Sequence, residues 1–227
     1  MVDDTVFFDL DIPDTLRGVA GARLATLSAD EKEVLQQAAV VGRRFWLGAL
    51  VMMQRLASDR AVRSAEGVGK DTRIVALKAL LEGLVAREIL SRSADKSMPE
   101  EDCYAFHSEL DRDILQEQCP SRIRSHVHRM VGRWMELGST RFVDANLTEI
   151  AHHLEIGGDK PRAAQLLQRA GRRARQNFHN DEAIECYEES LRLMDDEDLP
   201  SRIGVVHALG GLYTVVGCWE RARRAYR

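Results

Sequence analysis

Small and aromatic residues recur at a fixed distance in the second half of this chain, and that recurrence limits its fold more than any other feature. Gly171, Ala183 and Tyr187 are each followed 39 residues later by the same residue type, at Gly210, Ala222 and Tyr226. A glycine on one helix and an alanine on the next let the two approach closely, and the aromatic fills the space between them. The reading is a stack of helical hairpins, with an ordinary helical bundle as the weaker alternative.

Leu209, Gly210, Tyr213, Gly217, Ala222 and Tyr226 also fall in the order and spacing of the tetratricopeptide pattern, a unit of about 34 residues. The copy at Gly171, Ala183 and Tyr187 is poorer, and the longer spacing implies about five extra loop residues. The chain stops inside the second helix of the last copy, at Arg227. An uncapped solenoid end would expose its apolar face, so the natural protein is expected to continue or the chain to be a fragment.

Composition supports a folded, helix-rich, cytosolic protein. Hydrophobic residues make up 44% and charged residues 30% of 227, with only 16 Gly and 5 Pro. The net charge of -4 creates no overall field for nucleic acid or anionic membranes. Its longest apolar run, Leu47 to Met53, is far short of the ~20 residues that span a bilayer. The acidic start lacks the basic region of a secretion signal. Cys103, Cys119, Cys186 and Cys218 are dispersed, with no C-x-x-C pair, so neither a zinc site nor a disulfide framework is implied.

Along the first half, Pro13 suits a first helical turn in an amphipathic stretch from Ile12 to Leu24. Ser28 and Glu31 form a capping-box signature before Val34, Leu35, Ala38 and Val41, and Gly42 ends that helix. Further helices are expected from Trp46 to Ala57 and from Thr72 to Leu84, the latter burying Ile74, Leu77, Leu81 and Leu84. Leu84–Leu90 and Cys103–His107 read as two strands of a hairpin around the polar turn from Ser91 to Pro99. Three helices followed by a hairpin are the order of a winged helix, although the Ser58–Asp71 connection is long for one. From Glu109 the pattern is helical, with an apolar seam of Ile123, Val127, Met130, Trp134 and Leu137. A loop is expected from Gly138 to Asp144, then helices from about Asn146, Arg162, Asp181, Pro200 and Trp219. The expected fold is thus mainly α: a winged-helix domain with a small β-hairpin, then a tetratricopeptide-like α-solenoid. Its divisions are a leading segment at 1–27, a winged helix at 28–108, connecting helices at 109–145 and repeats at 146–227.

No catalytic or metal constellation emerges. The stretch from Gly67 to Thr72 lacks the first glycine and final hydroxyl of a phosphate loop, with Ser64 and Asp71 in their places. Cys103 and His107 on one strand would be ~13 Å apart, too far for a nucleophile and its base. The pairs His126/His128 and His152/His153 have the wrong helical spacing for a shared metal and read as surface or partly buried helix. Glu149 and His152 make half of a di-iron signature. Arg169, Arg172, Arg173 and Arg175 read first as a solvated basic face. As inner positions of a repeat groove, Gln165, Gln168, Arg172, Arg175, His207, Gly211 and Thr214 would favour an acidic or polar segment. The third helix brings only Arg73 and Lys78, offset by Asp71 and Glu82, so DNA binding is the minor reading.

The segments Ile12 to Arg17, Ala22 to Ser28 and Val34 to Phe45 together resemble the region following the nucleotide-binding domain of bacterial signal-transduction ATPases with numerous domains, the STAND class. Ala105 to Leu115 is similar to that family's Phe-Arg-His-Ala-Leu-x-Arg-Asp segment, and Ile150 to Gly171 extends the resemblance into the repeats. The resemblance spans nearly the whole chain and makes 1–27 the tail of an ATPase lid region. It implies a non-catalytic regulatory segment, with the winged helix docking on a nucleotide-binding domain and the repeats receiving a protein or peptide. No Walker A or Walker B segment occurs, so ATP and ADP would belong to the ATPase and no cofactor to this chain. In the wider class the histidine of a Met-His-Asp motif touches the β-phosphate of ADP. By position that residue is His107, followed by Ser108 where the class often has Asp. The competing readings are a structural histidine at His107 and, for the chain, a DNA-binding transcriptional regulator with a helical-repeat sensor.

Overall fold

A computed structural model describes residues 14–61, 70–94, 98 and 101–226. The protein is mainly helical, with one small three-stranded antiparallel sheet. The described elements open with α1 (Asp14–Ala25), α2 (Ala29–Val41), β1 (Arg44–Trp46), α3 (Leu47–Ala61) and α4 (Lys70–Ala86). Strands β2 (Leu90–Ser93) and β3 (Cys103–Phe106) follow, then α5 (Glu109–Gln118), α6 (Ser121–Glu136) and α7 (Thr140–Ala145). The chain closes with α8 (Leu147–Ile156), α9 (Lys160–Gln176), α10 (Asn180–Leu193), α11 (Leu199–Val215) and α12 (Trp219–Ala225). Pro13, the Gly67–Gly69 part of the glycine-containing stretch, and residues 95–97 and 99 of the expected turn lie outside the described residues, while 91–93 of that turn belong to β2.

Local chemistry explains where the first helices start and stop. At the head of α2, Ser28 Oγ accepts from the Glu31 backbone N–H, and the Glu31 carboxylate accepts from the Ser28 N–H at 2.8 Å. Gly42, with φ 146°, turns the chain directly into β1. This strand was not anticipated, because three residues are too few to display a two-residue period. It pairs with β3, placing Phe45 opposite Tyr104, and β3 in turn pairs with β2 in the order β1-β3-β2. Phe45 stacks on Tyr104 and tilts against Phe106, with ring centroids 5.9 and 5.6 Å apart, which makes the short sheet an aromatic floor for α2 and α4.

Several expectations need correction. Leu84–Leu90 is not a strand: α4 continues to Ala86, and β2 begins only at Leu90. The apolar run was continuous because it serves first a helix and then a turn. Glu88, at φ 57°, closes that turn, its N–H bonding to the Val85 carbonyl and that of Ile89 to Leu84. The stretch from Gly138 to Asp144 holds α7, started by Ser139 Oγ accepting from the Phe142 N–H, so only its first residues are loop. The expected α6 seam is also displaced. Val127 and Met130 are buried, but Ile123 and Leu137 are exposed, and the buried face runs through His128, Val131, Gly132 and Met135.

One core runs from Leu24 to Leu193 and a second from Ala174 to Ala222. Trp46 links the sheet to the following helices, its ring 5.5 Å from Trp134 and 5.7 Å from Phe142. From α8 onward each helix packs on its predecessor. A β-carbon at Gly171 would stand 3.1 Å from the Tyr187 ring, and one at Gly210 would stand 2.6 Å from Tyr226. The 39-residue recurrence is thus a repeated contact.

The turns repeat as well. Helices α8, α9 and α11 all end with a left-handed residue, respectively Gly158 (φ 84°), Phe178 (φ 63°) and Gly217 (φ 78°). In each case the following N–H reaches back to the last helical turn: Asp159 to Leu154, His179 to Ala174, and Cys218 to Tyr213. Phe178 is the exception in this set, a bulky side chain in a conformation that disfavours any β-carbon. It is 85% exposed, so its ring contributes no burial to offset that cost. Phe178→Gly is expected to raise the unfolding free energy by about 1 kcal/mol, measured by urea denaturation; a loss of stability would refute this account of the turn.

Candidate functional site

His107 directly follows β3. Its main chain is fixed, with the N–H donating to the Ile89 carbonyl at 3.0 Å, while Phe106 N–H donates to Arg43 O at 3.0 Å and Ser108 caps α5. The imidazole is exposed and makes no side-chain hydrogen bond among the described residues. A role in closing the end of the sheet is therefore met by the backbone of His107, and the ring is free for another group. The neighbouring surface carries the Arg43–Glu109 ion pair at 2.7 Å.

The seven groove residues form two helical stripes. Gln165, Gln168, Arg172 and Arg175 lie along α9; His207, Gly211 and Thr214 lie along α11. Helix α10 packs on both, whereas α9 and α11 share little direct contact. Several of these side chains already have local partners. Gln165 accepts from Arg162 at 2.9 Å, half-buried Gln168 meets the Met194 sulfur at 3.5 Å, and the Thr214 hydroxyl donates to Gly210 O at 2.9 Å. His207 sits edge-on to Tyr226, with ring centroids 5.8 Å apart, and Gly211 is half-buried. Arg172 and Arg175 are exposed without an ion pair among the described residues, close enough to Tyr187 for their charges to favour its phenolate against burial. They are the two members of the set with unused charge.

Two histidines read as surface or partly buried helix are instead a buried pair. His128 on α6 and His153 on α8 are each 4% exposed, and their Nδ1 atoms are 2.9 Å apart. Burial pushes His128 down to about 4, helped by the charges of His152 and Arg124. Burial likewise pushes His153 down to about 3, opposed by a hydrogen bond to the backbone of Val41. A hydrogen bond between the two Nδ1 atoms needs one ring to carry Nδ1–H and the other to leave its Nδ1 bare. The pair joins α6, α8 and the end of α2. Residues 150, 153 and 154 share one helical face, and this spacing, with apolar Ile150 and Leu154, was the available signal that His153 points inward.

The remaining chemistry is quiet. Cys103, Cys119 and Cys186 are buried, and burial pushes the Cys186 thiol up to about 11, away from a nucleophilic thiolate. Among the described residues no group of three or more His, Cys, Asp or Glu could hold a metal ion, and no helix is long and apolar enough to cross a membrane. Comparison with known proteins finds no match among family models, curated proteins or solved structures.

Proposed function

We propose that this chain is a non-catalytic regulatory and protein-interaction segment of a signal-transduction ATPase. In this reading 28–108 is a winged helix that docks on a nucleotide-binding domain, and the hairpins from α8 onward are tetratricopeptide-like repeats that receive a protein or peptide. The observation that carries it is the exposed His107 ring at the end of a three-stranded sheet, immediately before the helical stack. The order α2-β1-α3-α4-β2-β3 and the repeated glycine–tyrosine contacts add support. An imidazole N–H held there could donate to a phosphate oxygen of ADP on the docked domain. The repeats would then bias the nucleotide switch by binding their partner differently in its two states.

The DNA-binding alternative finds little basic surface on α4. Lys78 is tied to Asp102 at 2.6 Å, and Glu82 faces the same region, accepting from Tyr104 and Arg92.

ADP titration of the ATPase that carries this segment tests the proposal. His107→Ala should weaken ADP binding about tenfold, the value of one charge-assisted hydrogen bond. Unchanged ADP affinity rejects the sensor role. Gel-shift binding to duplex DNA with a steep salt dependence would replace the whole reading with that of a DNA-binding regulator.

A further inference from the structure

The geometry points to the cavity between α3, α6, α7 and α9 as a binding site for a small organic phosphate, an anionic head carried on an apolar body. This inference is independent of the docking reading above. The cavity has a volume of about 590 Å³, within the range of small-molecule sites. Its lining mixes two chemistries: Arg133 from α6 and Arg162 and Arg169 from α9 bring guanidinium groups, while Met52 from α3, exposed Leu137 after α6 and Leu166, between the two α9 arginines, bring apolar ones.

Each guanidinium is held by one carboxylate: Arg133 by Asp159 at 3.6 Å, Arg162 by Glu136 at 2.6 Å and Arg169 by Asp144 at 2.5 Å. Of these three acids only Glu136 lines the cavity. The other two acids neutralise their arginines from beside the lining, so what the described residues offer a ligand is hydrogen-bond donors rather than net charge. Unused donors remain. Arg133 makes no side-chain hydrogen bond among the described residues, only its 3.6 Å contact, and Arg169 gives a single N–H to Asp144. Arg162 is the most committed, to Glu136 and Gln165.

Planar guanidinium groups match phosphate oxygens with paired N–H donors, and a phosphate presents more acceptor oxygens to several guanidinium groups at once than a carboxylate does. The arginine side chains are between 44% and 58% exposed, so their present ion pairs are the weak, solvent-screened kind that can yield a donor to a ligand. Half-buried Met52 and exposed Leu137 give an aromatic or alkyl body an apolar surface to cover. Because Met52 precedes the sheet hairpin and Arg169 lies far beyond it, a bound molecule would touch both halves of the chain.

Calorimetric titration of the full chain with 1-naphthyl phosphate, 1-naphthoate and 1-naphthalenemethanol tests this site. Saturable binding in the order phosphate, carboxylate, alcohol is expected, with the phosphate at least tenfold tighter than the alcohol. Arg133→Gln and Arg169→Gln should each weaken the phosphate about tenfold, while Arg17→Gln, at a remote pair with Glu117, leaves it unchanged. Equal affinity for the neutral alcohol, no saturable binding, or indifference to both arginine variants would overturn the proposal. If a variant unfolds, the wild-type Nε–H resonances provide the reading: 1-naphthyl phosphate should shift those of Arg133 and Arg169, and shifts confined to other arginines would refute the site.

Discussion

Lowering the pH from 7 to 5 is expected to remove about 2–4 kcal/mol of folding stability through the His128–His153 pair. The sign follows from protons taken up on unfolding. Both rings have folded values depressed below the ordinary 6.5, to about 4 and about 3, so between those limits the unfolded chain binds protons that the folded chain refuses. The contribution is complete above the unfolded value and is lost as the pH falls from 6.5 towards the folded values, at about 1.4 kcal/mol per unit for each ring. Geometry gives the reason: the hydrogen bond needs one bare Nδ1 and one Nδ1–H, and protonating both rings would set two N–H groups against each other across 2.9 Å. His128→Asn separates this effect from ordinary carboxylate titration. Its amide can keep a donor near the same place but takes up no proton, so urea denaturation at both pH values should show roughly half the acid loss. An unchanged dependence on pH would mean that the pair does not control it.

Gly157→Ala is expected to cost about 3 kcal/mol, at the upper end of the usual range for overpacking. A β-carbon at Gly157 would lie 2.7 Å from both N and Cα of Arg129, and a main chain cannot rotate aside as a side chain can. The same approach is clamped by Arg129 Nε donating to the Gly157 carbonyl at 2.7 Å. Gly132→Ala, elsewhere along the α6–α8 contact, would meet Cγ and Cδ2 of buried Leu154 at 2.8 Å and should cost less, because the nearest main-chain atom, Leu154 N, stands off at 3.3 Å. Gly204→Ala in α11 is the opposite control. Nothing lies within 4 Å of its added carbon, and removing a mid-helix glycine should stabilise the fold by about 0.5–1 kcal/mol. Chemical denaturation of the three variants checks the ranking; equal effects at Gly157 and Gly204 would show that the α6–α8 backbone contact is looser than described.

These two experiments address the same joint. Val41 ends α2, His128 and Arg129 lie on α6, and His153 and Gly157 lie at the end of α8. The pair and the close glycine contact therefore set how the sheet-bearing part meets the first of the stacked helices. In the proposed function this joint is where an event on the repeats would reach His107.

Local patterns were legible in the amino-acid order wherever chemistry acts over three or four residues. Ser28 and Glu31 announced the head of α2, and Val34, Leu35, Ala38 and Val41 announced its buried face. The recurrence of glycine and tyrosine likewise foretold the contacts of Gly171 with Tyr187 and Gly210 with Tyr226, because each is made within one hairpin. Only the tertiary structure decided the rest. Strand β1 exists because β3 supplies its hydrogen bonds from about 60 residues away. His128 and His153, and likewise Met52 with Arg133 and Arg169, are chemically unremarkable in sequence and become partners only when separate helices pack. Helical and strand periods determine which face of an element is apolar, whereas the choice of facing partner depends on the close packing of the whole chain.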